Sequence, residues 1–200
     1  ASGTNKHAAN SNLILPQTDS LTITAWVKPI GIQPDYSAIW MNETGEAGGF
    51  NFKNENNSLA YHWPGGAWWW DSGLIVNQNE WNFVAMVVKP SGVTLYCNNN
   101  SAVHNTTLSP LDIEGFRMGN YKGWDSRNMT GYIDEVAVYN RVLTTGEIRD
   151  IRHLTKDPTQ DPSLVAYYQF NEEGSICYDK SHSYHANLFN GANKQRSRIP

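Results

Sequence analysis

Trp81-Asn82-Phe83-Val84-Ala85-Met86-Val87-Val88 is the stretch that decides the fold: a nearly unbroken apolar run of strand length, rich in β-branched and aromatic residues. Apolar residues on both parities of a strand are expected where both of its faces are covered. Lys89-Pro90-Ser91-Gly92 turns the chain, Val93-Thr94-Leu95-Tyr96-Cys97 returns beside the first run, and Asn98-Asn99-Asn100 turns it again. Upstream, Leu21-Thr22-Ile23-Thr24-Ala25-Trp26-Val27 alternates with period two, placing Leu21, Ile23, Ala25 and Val27 on one face and Thr22, Thr24 and Trp26 on the other, until Pro29 stops it. Phe50-Asn51-Phe52 is set to pair with Leu59-Ala60-Tyr61-His62-Trp63 across a turn at Glu55-Asn56-Asn57-Ser58. Pro64-Gly65-Gly66 then leads into Trp68-Trp69-Trp70, where strand alternation puts Trp68 and Trp70 on one side and Trp69 on the other. Further strands are expected over 132–139 and 164–170. One helix interrupts the pattern: Thr144 with Glu147 three positions on forms a capping box, which predicts a short helix near 145–151.

Composition agrees with many short strands. The chain has 200 residues, 40% hydrophobic and 12% aromatic but only 17% charged, a balance that excludes a disordered tail or a coiled coil. Its 16 Gly and 9 Pro, with abundant Asn, supply the turns of an all-β, two-sheet antiparallel sandwich. Trp26 and Trp81 are expected to fill its layers. A net charge of −4 argues against a nucleic-acid partner, which requires a basic face. No apolar run reaches the ~18 residues of a membrane span. The chain lacks an initiator Met and a leader-like opening, so it reads as part of something longer, covalently joined to other domains. Cys97 and Cys177 lack metal-site spacing; they form either a disulfide, in an exported protein, or two buried thiols. Sequons at Asn42, Asn56, Asn99, Asn105 and Asn128 are as well explained by Asn-rich turns as by glycosylation.

Three phrases carry a family likeness. "SLTITAWVKP" at 20–29, "NEWNFVAMVVKPSGVTLYCNN" at 79–99 and "GYIDEVAVYNRVLTTGEI" at 131–148 resemble, in order, the strand, hairpin and closing phrases of laminin G-like modules of secreted bacterial proteins. The resemblance implies a concanavalin A-like jelly-roll sandwich and an extracellular or cell-surface location. "SLVAYYQFNEEGSICYDKSHSYHANLFNGA" at 163–192 is similar to the phrase that normally opens such modules, yet it comes last. Either the module is circularly permuted, with 163–200 supplying its opening strands to a single domain over 1–200, or a second module starts at 163. A sandwich lacking its opening strands would expose unpaired edges, which favours the permuted domain.

The resemblance also implies a structural calcium, held by the Asp of the "IDEV" phrase and by oxygens of the opening strands. The matching positions are Asp134 and Asp179, with Asn171 and Asn187 as helpers; Asn171 stands where the family has a carboxylate, which weakens the charge on offer. Asp134 otherwise caps a turn or pairs with Arg141 or Arg127.

Two aromatic-rich segments point to a ligand. Tyr61, His62, Trp63, Trp68 and Trp70 form one; Tyr121, Trp124, Asp125 and Arg127, in the loop Asn120-Tyr121-Lys122-Gly123-Trp124-Asp125-Ser126-Arg127-Asn128, form the other. Indole and phenol rings stack on the apolar faces of sugars, and neighbouring acids, bases and amides take the hydroxyls. Equally, three successive Trp can serve the core, and the loop can be plain surface.

A glycosidase needs two carboxylates about 5–9.5 Å apart. No E-x-D-x-E triplet occurs; Asp134 and Glu135, as strand neighbours, are expected to face opposite ways, and Asp112 and Glu114 to sit in a loop. No G-x-S-x-G elbow or HExxH pair occurs. The expectation is a non-catalytic module binding a polysaccharide or other glycan through exposed aromatic residues. The alternative is an adhesion, protein-interaction or spacer module without a glycan ligand.

Overall fold

The structure is a computed structural model and describes residues 5–195. Two antiparallel sheets pack face to face. The first has the order β12 (Ile176–Cys177), β13 (Ala186–Phe189), β1 (His7–Thr18), β9 (Leu111–Met118), β3 (Ala38–Asn42), β4 (Gly49–Lys53) and β5 (Ser58–His62). The second runs β11 (Leu164–Tyr168), β10 (Gly131–Tyr139), β2 (Leu21–Pro29), β6 (Asn82–Lys89), β7 (Gly92–Cys97) and β8 (Asn100–Asn105).

The alternation in β2 works as written. Leu21, Ile23, Ala25 and Val27 enter the core between the sheets, beside Val84, Met86 and Val88 of β6 and Trp40, Phe50, Phe52 and Phe116 of the facing sheet. Thr22, Thr24 and Trp26 take the outer face. Trp26 therefore does not lie between the sheets. It belongs to a second apolar cluster with Phe83, Ala85 and Val87, covered by Ile148 and Ile151 of helix α1 (Thr145–Arg152). Trp81 is half-buried at the border of that cluster rather than in the core. Helix α1 is thus the second cover that β6 requires, and it explains why the apolar residues of that strand do not alternate.

The capping box is formed: Thr144 Oγ1 accepts from the Glu147 amide, and the Glu147 carboxylate accepts from the Thr144 amide. Arg141 ties Glu147 to Asp161 through two contacts of 2.6 Å, linking the helix to the segment that leads into β11.

The C-terminal segment contributes to both sheets. Strand β11 pairs with β10, and β13 pairs with β1. Tyr168 is fully buried and packs against Phe116, whose ring centroid lies 5.8 Å away. Cys97 and Cys177 are free and buried, and burial pushes both thiols up to about 11. They behave as small apolar side chains.

Asp112 and Glu114 lie on β9 and not in a loop. Leu111 and Ile113 point into the core, so both acids share the outer face. Asp112 accepts from the Gln17 amide and side chain, and Glu114 from Thr44.

Candidate functional site

On β4, Phe50 and Phe52 fill the core, which sends Asn51 and Lys53 to the outer face of the first sheet; on β5, Leu59 and Tyr61 do the same for Ala60 and His62. Asn51 stands opposite Ala60 on one side and Ala38 on the other. Three segments close over this floor: the turn containing Tyr36, the turn after Pro64-Gly65-Gly66 that carries Trp68, and the loop from Asn120 to Asn128.

Each segment is held by identifiable contacts. Tyr36 has a left-handed φ of 64° and donates its amide to the Phe52 carbonyl at 2.8 Å. A non-glycine residue adopts that region at a cost, and here the conformation delivers the ring to the sheet face. Gly65, at φ 77°, passes so close to the chain that a Cβ there would lie 2.7 Å from the Thr107 carbonyl oxygen. Asn120 and Asn128 bridge the ends of the loop, Asn128 reaches Asn5, and Arg117 donates to Asn120. Ala38 donates its amide to the Arg127 carbonyl at 3.2 Å, fastening the loop to β3.

The result is a cluster of rings around two cations. The Arg127 guanidinium carbon lies 4.1 Å from the Trp124 ring centroid, 4.7 Å from Tyr36 and 4.9 Å from Tyr121. The Lys53 ammonium lies 5.5 Å from Tyr36 and 5.7 Å from Trp68. Tyr36 also packs on His62, and His62 meets Tyr121 edge-on. Outward, Trp68 is 61% and Trp124 53% exposed, so the patch offers two open indoles. A cavity of about 370 Å³ adjoins it, lined by Glu43, Thr44, Tyr121 and Lys122 among others.

Beneath the rings the floor is polar and closed. Asn51 is fully buried, and neither polar atom of its side-chain amide has a hydrogen-bond partner among the described residues; the same holds for His62 Nε2. Burial, followed by the Arg127 and Lys53 charges, lowers the His62 imidazole to about 4, so it is neutral at physiological pH.

Five sequence candidates meet in this cluster: His62, Trp68, Tyr121, Trp124 and Arg127. The others do not. Tyr61 and Trp63 are core residues, bound to His104 Nδ1 and to the Ser109 carbonyl. Trp70 stacks on His104 at 4.8 Å and packs on Tyr61, on the other side from Trp68. The expected pairing of Trp68 with Trp70 fails because residues 67–70 form a turn, with the Trp70 amide bonded to the Ala67 carbonyl at 2.9 Å, and strand alternation does not apply there. Trp69 is 63% exposed instead. Asp125 is exposed and accepts from Asn5, so it shapes the loop from outside the ring cluster. Two members were missed. Lys53 was legible from strand parity, since it shares a face with Asn51 and alternates with Phe50 and Phe52. Tyr36 carried no periodic signal.

The expected calcium ligands are not brought together. Asp134 is buried on the outer face of the second sheet, opposite Trp26. Asn187 lies on β13 in the first sheet, exposed, between core-facing Ala186 and Leu188. The two therefore sit on opposite outsides of the sandwich. Asp179 spends its oxygens on the Tyr167, Ser181, Ser183 and Tyr184 amides and the Ser181 hydroxyl, organising the turn after β12. Asn171 is exposed. Among the described residues no group of three or more His, Cys, Asp or Glu is placed to hold a metal, and the four expected residues do not fit a calcium ion.

Asp134 and Glu135 do not face opposite ways. A bulge interrupts the pairing of β10 with β2 between Asp134 and Ala137, and Glu135 takes a φ of 49°. Its carboxyl reaches the Tyr167 hydroxyl and Gln169, and burial, with the Asp134 charge, raises its pKa. Beside it a cleft of about 920 Å³ runs past Lys156, Tyr167 and Lys180. Its lysines are committed, Lys156 to Asp161 and Lys180 to Glu172, at 3.0 and 2.9 Å.

The fold and these elements define a jelly-roll sandwich of lectin type. The family model of the concanavalin A-like lectin/glucanases superfamily, of laminin G type, matches residues 2–149, and the chain belongs to this family. Among solved structures, a "putative carbohydrate binding protein" from Bacteroides ovatus ATCC 8483 superposes with a TM-score of 0.73 at 18% identity, covering 98% of this chain and 61% of that one. Domain 4 of AbnA, a GH43 extracellular arabinanase from Geobacillus stearothermophilus in complex with arabinotriose, gives a TM-score of 0.50 at 20% identity over 66% of each chain. The native heptameric SAP-like pentraxin of Limulus polyphemus gives 0.56 at 13% identity over 73% and 75%. At these identities the likeness is one of fold, and the chain spans less than two thirds of the length of the first two. A search of curated proteins returns no match.

Proposed function

We propose that the chain is a non-catalytic carbohydrate-binding module of a larger secreted or cell-surface protein. The observation that carries this reading is the pair of open indoles, Trp68 and Trp124, braced by Tyr36 and Tyr121 around two cations. Exposed rings on one patch give sugar C–H faces a flat seat, and the adjoining polar groups give their hydroxyls partners. The names of two structural neighbours, a "putative carbohydrate binding protein" and an arabinanase domain in complex with arabinotriose, support the same class of ligand. The pairings of β11 with β10 and of β13 with β1 support reading the tail as part of one permuted module.

Polysaccharide-gel retardation and glycan-array binding test the proposal. The double variant Trp68→Ala/Trp124→Ala should lose retention by roughly tenfold or more, while its melting temperature stays close to the parent's, because both rings are more than half exposed. Chelator should leave retention unchanged, since among the described residues the acids do not converge on a calcium site. A parent protein retained by no glycan would overturn the saccharide reading and leave a protein-interaction or spacer module.

A further inference from the structure

We propose that this patch takes an acidic saccharide, with Arg127 and Lys53 receiving a carboxylate or sulfate group while the exposed indoles carry the neighbouring sugar faces. This rests on the saccharide reading above and narrows it to a charge class.

The argument begins with the cations themselves. The chain is acidic, with a net charge of −4, yet two cations stand together here. Among the described residues neither Arg127 nor Lys53 forms an ion pair, whereas Arg117, Lys122, Arg141, Lys156 and Lys180 all do. Lys53 is only 8% exposed, and its ammonium makes one long hydrogen bond, 3.4 Å to the Trp68 carbonyl. Apart from that bond and the Tyr36 and Trp68 rings, the ammonium has no ion-pair partner among the described residues, which leaves it free to meet an anionic partner.

Arg127 shows the complementary feature. Three rings pack around its planar guanidinium, and among the described residues no acceptor engages its N–H groups. The rings leave those edge donors for a partner, and a planar fork of donors matches a carboxylate or a sulfate better than a lone hydroxyl.

Among the described residues no neighbouring acid forms an ion pair with either cation. Asp71 accepts from Asn54, Ser58 and Gly73, Asp125 from Asn5, and Glu43 is held by Arg117 and Lys122 at 2.5 and 3.2 Å. Lys53 does lower the Asp71 pKa, but only as the last of its causes, behind those hydrogen bonds. Burial lowers the His62 pKa most, and Arg127 and Lys53 lower it further, as a positive local field would.

The test compares matched saccharides with and without their anionic groups. Trigalacturonate and its methyl ester form the carboxylate arm, and heparin-derived tetrasaccharides and their desulfated forms the sulfate arm, each titrated into the intact chain by calorimetry. At least one arm should bind roughly tenfold more tightly in its charged form, and that preference should shrink as salt rises from about 50 to about 500 mM. Arg127→Gln should bring charged and neutral forms to the same affinity. Lys53→Gln is the second variant, should the first fail to fold. Neutral forms bound as tightly as charged ones would overturn this inference and leave the saccharide reading standing. Failure of every charged and neutral saccharide, including the glycan array, would remove both.

Discussion

His62 shows how burial and charge act on one side chain. Its β5 parity turns it outward, the rings of Tyr36 and Tyr121 cover it, and Arg127 and Lys53 stand nearby. All three influences disfavour the imidazolium, so the native pKa falls to about 4 from 6.5 in the unfolded chain. A depressed native pKa contributes stability that is whole above pH 6.5 and is lost as pH falls toward 4. The loss between pH 7 and pH 4 should be about 3 kcal/mol. Urea titrations across that range should show the slope in the parent and a flatter one in His62→Gln; equal slopes would disprove the assignment. Glu147, lowered to about 2 from 4.5, loses its contribution as pH falls from about 4.5 toward 2, mostly below the range where His62 titrates. At this scale the sequence was partly readable. The aromatic content of 61–70 and 121–127 flagged the right neighbourhood, but a ring is equally good as core and as platform. Tyr61 and Trp63 went to the core, Trp68 to the surface, and only packing sorted them.

At the scale of elements, β6 and α1 are one device. A strand apolar on both faces needs two covers, and the second is a two-turn helix whose Ile148 and Ile151 sit over Phe83, Ala85 and Val87. The helix is short enough that its start matters, because isolated helices of this length are unstable in water. Thr144→Ala removes the cap acceptor and should cost about 1 kcal/mol, seen as a lower urea midpoint with an unchanged slope. No change in midpoint would mean that the Arg141 contacts to Glu147 and Asp161 hold the helix start without the cap. Capping box and strand alternation were both legible, since each depends on neighbours within a few positions. The turn at 67–70 and the bulge at Glu135 were not. Each breaks the strict period of two that reading along a strand assumes, and so misplaced Trp70 and Glu135.

At the scale of the whole molecule, the family model ends at residue 149 while the pairing continues to Phe189. Removing residues 163–200 would strip Tyr168, Cys177 and Ala186 from the core and uncover the edges of β10 and β1. The chain cut at 162 should therefore lose cooperative unfolding or self-associate, as read by calorimetry and size-exclusion chromatography; a monomer melting like the full chain would refute the single-module reading. The sequence by itself determined the all-β class, the two-cover strand, the capped helix and the family, because hydrophobic period, turn residues and caps are local and survive in one dimension. Only the tertiary structure decided that Tyr36, Lys53, His62, Trp68, Trp124 and Arg127 share one patch, and that Asp134 and Asn187 lie on opposite outsides of the sandwich. Those residues come from separate strands and loops, and their proximity follows from strand order and sheet stacking, which no spacing along the chain records.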